Sequence, residues 1–366
     1  MSDFFAQYGL FVAKALTVLL VFAACVLVVA VARRSAQADT SALEIKKLND
    51  DLDDMKDALE SQVYNSGELK LIDEEREKEE KAKQKKQKKE AKSQAKQVKS
   101  GKAEAQSLIT RRPRTYVLDF DGDIEASQVK SLRRCITAVL TLAQSEDEVV
   151  IRLTSPGGLV HAYGLAASQL ERIKRAEVPL VVCVDGVAAS GGYMMACIAN
   201  RILAAPFAVV GSIGVVAEVP NVNRLLKKHD VDYDVYTAGE FKRTVTVFGE
   251  NTEQGKEKFV QDLEKTHGLF KDFVSKHREA VDIDQVATGE TWYGTQAIDA
   301  GLVDELMTSD QYLAEQCETR DVFTVALKPK KSLDNRLAKL LSDSAGRMSR
   351  GLVKGAFDEV QRRRLY

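Results

Sequence analysis

Val184–Ala199 reads VDGVAASGGYMMACIA, and an apolar run, Leu180–Val184, leads into it. The run predicts a strand, and the small residues after it predict a sharp turn presenting Ser190. Gly191 and Gly192 then open an apolar segment of helical character. Such a turn exposes a hydroxyl at its tip and leaves the next backbone N–H, that of Gly191, close enough to hold an oxyanion. The plainer reading of Ala188–Gly192 is a strand-to-helix turn with a capping serine, since Ser is a favoured N-cap. Both readings predict the same local backbone. Asn200 and Arg201 cut the apolar segment to half a membrane span, so it is expected to be a buried helix.

Working outward, Tyr116–Phe120 (YVLDF), Glu148–Leu153 (EVVIRL) and Arg201–Ala204 (RILA) are further short apolar strands. Helix-period stretches, Ser127–Ala143 and Ala162–Lys174, lie between them. A strand plus helix recurs roughly every 30 residues, which predicts an α/β domain of buried parallel strands. Thr252–Lys276 predicts a charged helix with Phe259, Leu263, Phe270 and Phe273 as its apolar stripe. Gly294–Val303 predicts a short helix closing on a glycine turn, and the chain beyond Leu306 reads as polar and basic.

The N-terminal third has a different character. Ala15–Ala32 is a run of 18 residues without a charge, which as a helix spans roughly 27 Å, near the thickness of a hydrocarbon core. Lys14 precedes it and Arg33 and Arg34 stop it. A secretory h-region is shorter and lacks a trailing basic pair, so a membrane anchor is expected. Basic residues beyond the run lean toward a cytoplasmic body under the positive-inside rule. Ile45, Leu48, Leu52, Met55 and Leu59 follow a 3-4-3-4 spacing, either a short coiled-coil seam or a solvated helix with a chance stripe. Lys81–Lys102 holds ten lysines and one Glu. With no aromatic residue between the lysines for base stacking, a solvated helical or disordered spacer is the reading, with no specific nucleic-acid role.

Composition narrows the chemistry. Over 366 residues the net charge is −1, giving no overall pull toward nucleic acid. The five cysteines form no C-x-x-C pair; Cys25, Cys183 and Cys197 sit among apolar residues and read as small buried hydrophobes. Four histidines, His161, His229, His267 and His277, show no ligand spacing. Neither a metal nor a cofactor is implied.

A serine hydroxyl needs a base to become a nucleophile. His161, at the start of the helix after Ser155–Gly158, is the best-placed histidine but has no carboxylate to orient it. Lys242, in AGEFKRTVTVFGEN, is the alternative, a lysine that burial would hold neutral, with Phe241 and Val245 as apolar neighbours. The Thr154–Gly158 turn (TSPGG) follows a strand and has Pro and paired Gly to free its N–H groups toward an anion, or it is a plain strand exit.

Taken together, SPGG at Ser155–Gly158, AASGGY at Ala188–Tyr193, GSIGV at Gly211–Val215 and GEFKRTVTVFGENTEQGKEKF at Gly239–Phe259 resemble the signal peptide peptidase A family, most closely its membrane-anchored branch. The resemblance implies a ClpP/crotonase-like fold of stacked ββα units, behind an N-terminal transmembrane helix and a charged spacer. The implied layout is an anchor over residues 1–34, a spacer with its stripe over 35–112, the peptidase domain over 113–308 and a polar basic extension over 309–366. It also implies a Ser-Lys peptidase. Position by position, the nucleophile falls on Ser190, the base on Lys242, and the hydroxyl that orients the base on Ser212. The oxyanion donors fall on the backbone of Gly191, Gly157 and Gly158. Arg243 beside the base has no assigned effect. The implied partners are peptides or unfolded polypeptides, among them signal-peptide remnants, the bilayer of a bacterial inner membrane, and other copies of the chain in a ring. Two other readings compete: an acyl-CoA enzyme of the crotonase type, which leaves Ser190 and Lys242 without a role, and a non-catalytic membrane scaffold.

Overall fold

The computed structural model describes residue 14 and residues 41–99 and 111–329. The predicted anchor, Ala15–Ala32, lies outside the described residues. Among the described residues no helix is long and apolar enough to cross a membrane. Glu44–Ala326 forms one compact unit.

Strand β1 (Ser41–Lys47) leads into helices α1 (Leu48–Val63) and α2 (Ser66–Lys99), which are followed by β2 (Arg114–Asp121), α3 (Val129–Leu140), β3 (Glu148–Thr154), α4 (Val160–Arg175) and β4 (Leu180–Val184). Next come β5 (Val187–Ala189), α5 (Gly191–Ala196), β6 (Arg201–Ala204), β7 (Val209–Gly211), α6 (Asn223–Lys228) and α7 (Glu253–His277). The chain continues through α8 (Ile283–Val286), β8 (Thr291–Tyr293), α9 (Gly294–Asp299), β9 (Glu305–Leu306), α10 (Ser309–Thr319) and β10 (Asp321–Pro329).

Seven strands form one sheet in the order β1-β10-β2-β3-β4-β6-β9, and β2, β3, β4 and β6 run parallel. Every residue of LVVCV in β4 is buried. A central parallel strand is covered on both faces, which is why its sequence is apolar without alternation. Side chains of Val117, Val150, Val181 and Cys183 point to one face, where Tyr312 and Leu313 of α10 close over them. On the other face Phe120 meets the ring of Tyr163, on α4, edge to face. Helices α3, α4 and α5 pack against one another on that side. A second sheet, β5-β7-β8, holds β5 parallel and β8 antiparallel to β7.

The four predicted strands and the main helices form where their patterns place them. Three differences are instructive. The domain runs past the expected boundary at residue 308: β10 pairs in register with β2, and Tyr312, Leu313, Val322 and Val325 are buried. The polar appearance of that region comes from the exposed sides of one helix and one strand. The spacer is helical over α1 and α2 as far as Lys99, and ahead of them, within the expected spacer, β1 joins the sheet edge. The heptad stripe is also shorter than expected. Ile45 lies in β1, Leu48 packs on the α10 face of the core, and Met55 and Leu59 are exposed on α1.

Candidate active site

β4 ends at Val184, and after Asp185 and Gly186 the chain enters β5, whose pairing with β7 matches Ala189 to Gly211. The ladder extends one step further, with the Ser190 N–H donating to the Gly211 carbonyl at 2.8 Å. At that point both strands break in the same way. Ser190 has φ 51° and ψ −116°, and Ser212 has φ 49°. A non-glycine residue in such a conformation costs about 1–3 kcal/mol and persists only where its surroundings impose it. Here the two strand ends impose it, and Ser190 is turned out at the tip before α5 begins. Its side chain does not cap that helix, which removes the plainer reading of the turn. Among the described residues Ser190 Oγ makes no hydrogen bond.

The SPGG turn is built against this tip. Ser155 donates its N–H to the Val187 carbonyl at 2.7 Å and accepts at its own carbonyl from the Ala189 N–H at 3.0 Å. The turn therefore leaves β3 and is stitched to β5 at once. Gly157 has φ +90°, and a Cβ there would lie 2.8 Å from the Ser190 Cβ and 2.9 Å from the Gly191 nitrogen. Only glycine allows this approach. Gly191 is equally constrained, since a Cβ would lie 2.4 Å from the Tyr163 ring.

The three glycines named as oxyanion donors are thus gathered around Ser190, but they are not equivalent. The Gly157 N–H donates to the buried Ser155 Oγ at 3.1 Å, so it is already spent. The N–H groups of Gly158 and Gly191 have no acceptor among the described residues. Gly191 opens α5, where the first N–H groups have no intrahelical partner and the helix dipole favours negative charge nearby. Gly158, Gly191 and Ser190 all border one cavity of about 400 Å³, within the size range of ligand pockets. Val160, Met194, Val215, Leu269, Phe270 and Phe273 give it apolar walls.

Ser212 sits beside Ser190 in register. Its N–H donates to the Glu290 carbonyl at 2.6 Å and its hydroxyl to the Gly289 carbonyl at 3.3 Å. Lys242 is not brought to either serine. It is exposed on a turn, its N–H bonded to the Gly239 carbonyl at 3.2 Å, and its ammonium has no partner among the described residues. The expected burial by its neighbours is absent within one chain: Phe241 is itself exposed and lies under the Lys258 ammonium. His161 is exposed on α4 and, among the described residues, pairs with no carboxylate. His267, on α7, bonds the Ile213 carbonyl at 3.2 Å.

Two contributions were not read from the sequence. One is the wall that α7 gives the cavity through Thr266, Leu269, Phe270 and Phe273; the apolar stripe was visible, but not what it faces. The other is Tyr163, fully buried, with its hydroxyl 2.6 Å from Ser155 Oγ. A tyrosine eight residues beyond a serine carries no sequence signal of its own. Cys183 and Cys197 are buried as expected, and burial pushes the Cys183 thiol up to about 12. It is no nucleophile.

Comparison with known proteins identifies the family. The profile of Peptidase family S49 N-terminal matches residues 3–170, and that of Peptidase family S49 matches residues 172–322. The Probable protease SohB of Haemophilus influenzae is 51% identical over 345 residues, covering 94% of this chain and 95% of its own. The Probable protease SohB of Buchnera aphidicola subsp. Schlechtendalia chinensis is 42% identical, covering 85% of this chain and 99% of its own. Among solved structures, a variant of the 1510-N membrane-bound stomatin-specific protease in complex with a substrate peptide is 14% identical, covers 63% of this chain and 99% of its own, and aligns with a TM-score of 0.39. With both profiles matched in order and the first of these relatives aligned almost from end to end, the chain belongs to peptidase family S49.

Proposed function

We propose that the chain is a membrane-anchored serine endopeptidase in which Ser190 is the nucleophile and Lys242 the general base. The observation that carries this is the tip itself. Ser190 is held at positive φ with an unengaged hydroxyl, beside the two free N–H groups of Gly158 and Gly191, at the edge of an apolar cavity. Membership of a peptidase family supports the reaction type, and the largely parallel main sheet with its small second sheet is compatible with a ClpP/crotonase-type domain.

The chemistry follows from these positions. Neutral Lys242 takes the Ser190 proton as Oγ bonds to the scissile carbonyl carbon, and the carbonyl oxygen becomes an oxyanion held by Gly158 and Gly191. The C–N bond then breaks, and Lys242 returns the proton to the leaving amine. A water, deprotonated by Lys242, attacks the acyl-enzyme ester, and as the ester C–O bond breaks Lys242 returns that proton to Ser190 Oγ. Lys242 is exposed, with no partner for its ammonium among the described residues, which favours its delivery to Ser190 by a neighbouring copy, with Ser212 orienting it. The apolar walls suit apolar segments, including peptides released from a membrane, and Ala15–Ala32 would hold the enzyme there.

Cleavage of an unfolded, apolar-rich polypeptide by the detergent-extracted protein tests this. The wild type is expected to cleave, and Ser190→Ala and Lys242→Ala each to lose about 10³-fold or more. Mixing the two variants under subunit exchange restores about a quarter of the sites if the base comes from a neighbour in a closed ring. Undiminished cleavage by Ser190→Ala would reject the nucleophile, and cleavage by neither protein would leave the scaffold reading standing.

A further inference from the structure

The buried hydroxyls of Ser155 and Tyr163 take no part in the steps above, yet they stand directly behind the oxyanion donors. Tyr163 donates its hydroxyl proton to the Asp123 carbonyl at 2.8 Å. A phenol has one proton to give, so at the 2.6 Å contact Ser155 is the donor and Tyr163 Oη the acceptor. Ser155 Oγ in turn accepts from the Gly157 N–H. The result is a chain of three hydrogen bonds in one direction, from the Gly157 N–H through Ser155 and Tyr163 to the Asp123 carbonyl. Both side chains are fully buried. The Tyr163 ring also lies flush against Gly191, with no room for a Cβ between them.

We propose that Tyr163 is a positioning residue for the oxyanion hole: through Ser155 it turns the Gly157 N–H inward, and through its ring it fixes Gly191. This rests on Ser190 being the nucleophile. With the Gly157 N–H turned away, the next peptide presents the Gly158 N–H to the cavity, while the ring sets where the Gly191 N–H points. A buried hydroxyl chain is rigid because each unpaired group left behind would be costly. The oxyanion hole needs that rigidity, since donors stabilise the developing charge only when already aimed at it.

Tyr163→Phe keeps the ring and deletes the hydroxyl. In the full-length, detergent-extracted protein it is expected to lower kcat about 10- to 100-fold while KM stays within about twofold. A peptide aldehyde, whose adduct on Ser190 carries an oxyanion, is expected to bind more weakly by a similar factor. The matching peptide acid is expected to bind as before. Ser155→Ala carries the same prediction should Tyr163→Phe fail to accumulate. The double variant Ser155→Ala/Tyr163→Phe removes both hydroxyls, so its melting temperature is expected to recover relative to the single variants, but its kcat is not. An unchanged kcat in Tyr163→Phe, or recovery of kcat together with stability in the double variant, would overturn the proposal. Equal cleavage by wild type and Ser190→Ala, run in parallel, would instead remove the nucleophile on which it rests.

Discussion

Ser190 and Ser212 show how much a single residue's role depends on where two strands stop. Each follows directly on the last matched pair of β5 and β7, Ala189 and Gly211, and each takes a positive φ that serine seldom adopts. The motif residues were legible, because small residues before and glycines after a serine allow little else than an exposed tip. What the sequence could not show is the use of each N–H group. Gly157 and Gly158 look alike in SPGG, but the N–H of one donates to Ser155 and that of the other has no acceptor among the described residues. Gly157→Ala is expected to be more damaging than its size suggests. It demands φ +90° of an L-residue and places a methyl 2.8 Å from the Ser190 Cβ. Loss of activity of at least about 100-fold, with a stability cost of about 1–3 kcal/mol, is the expected outcome. Steady-state kinetics alongside a denaturant titration would measure both.

At the scale of elements, β3 and β4 were readable because covered strands are apolar throughout, whereas β5, β7 and β8 are three residues each and too short for any period to register. Helix α10 escaped notice for another reason. Its core contacts are Tyr312, Leu313 and the partly buried Cys317, too few apolar residues among polar ones for the stripe to stand out. Tyr312 also carries a polar contact, donating at 3.0 Å to the buried Glu148 carboxylate at the start of β3. Burial pushes the Glu148 carboxyl above its ordinary value of 4.5, outweighing the opposing pull of the Tyr312 hydrogen bond and of Arg320 and Arg201. The folded protein therefore binds this proton more tightly than the unfolded chain does. Stability from this source is complete below about pH 4.5 and is lost as pH rises through the raised folded value. Glu148→Gln keeps an acceptor for Tyr312 and removes the titration. Melting temperatures from pH 4 upward should fall less steeply in the variant than in the wild type, and parallel curves would contradict the assignment.

For the whole molecule, the sequence pattern did not show how far the sheet reaches: β1 joins it ahead of Pro113, and β10 returns to pair with β2 beyond residue 308. Contacts of that range leave no local mark. The same limit applies to Lys242. Its motif is specific, yet a lysine loop standing exposed in one chain gives no hint of what it will face. Phe207, Val216 and Tyr236 are each more than four-fifths exposed, the kind of surface the proposed assembly would cover. Helix α2, lysine-rich in its second half, extends about 50 Å at 1.5 Å per residue, long enough to hold the domain away from a surface.

The most direct test is to react the detergent-extracted wild type with a peptidyl phosphonate ester of apolar sequence, digest it, and locate the adduct by mass spectrometry. The account predicts a single modified site, Ser190, with labelling abolished in Ser190→Ala and slowed in Lys242→Ala. Labelling at another residue, or cleavage that persists without any adduct at Ser190, would contradict it.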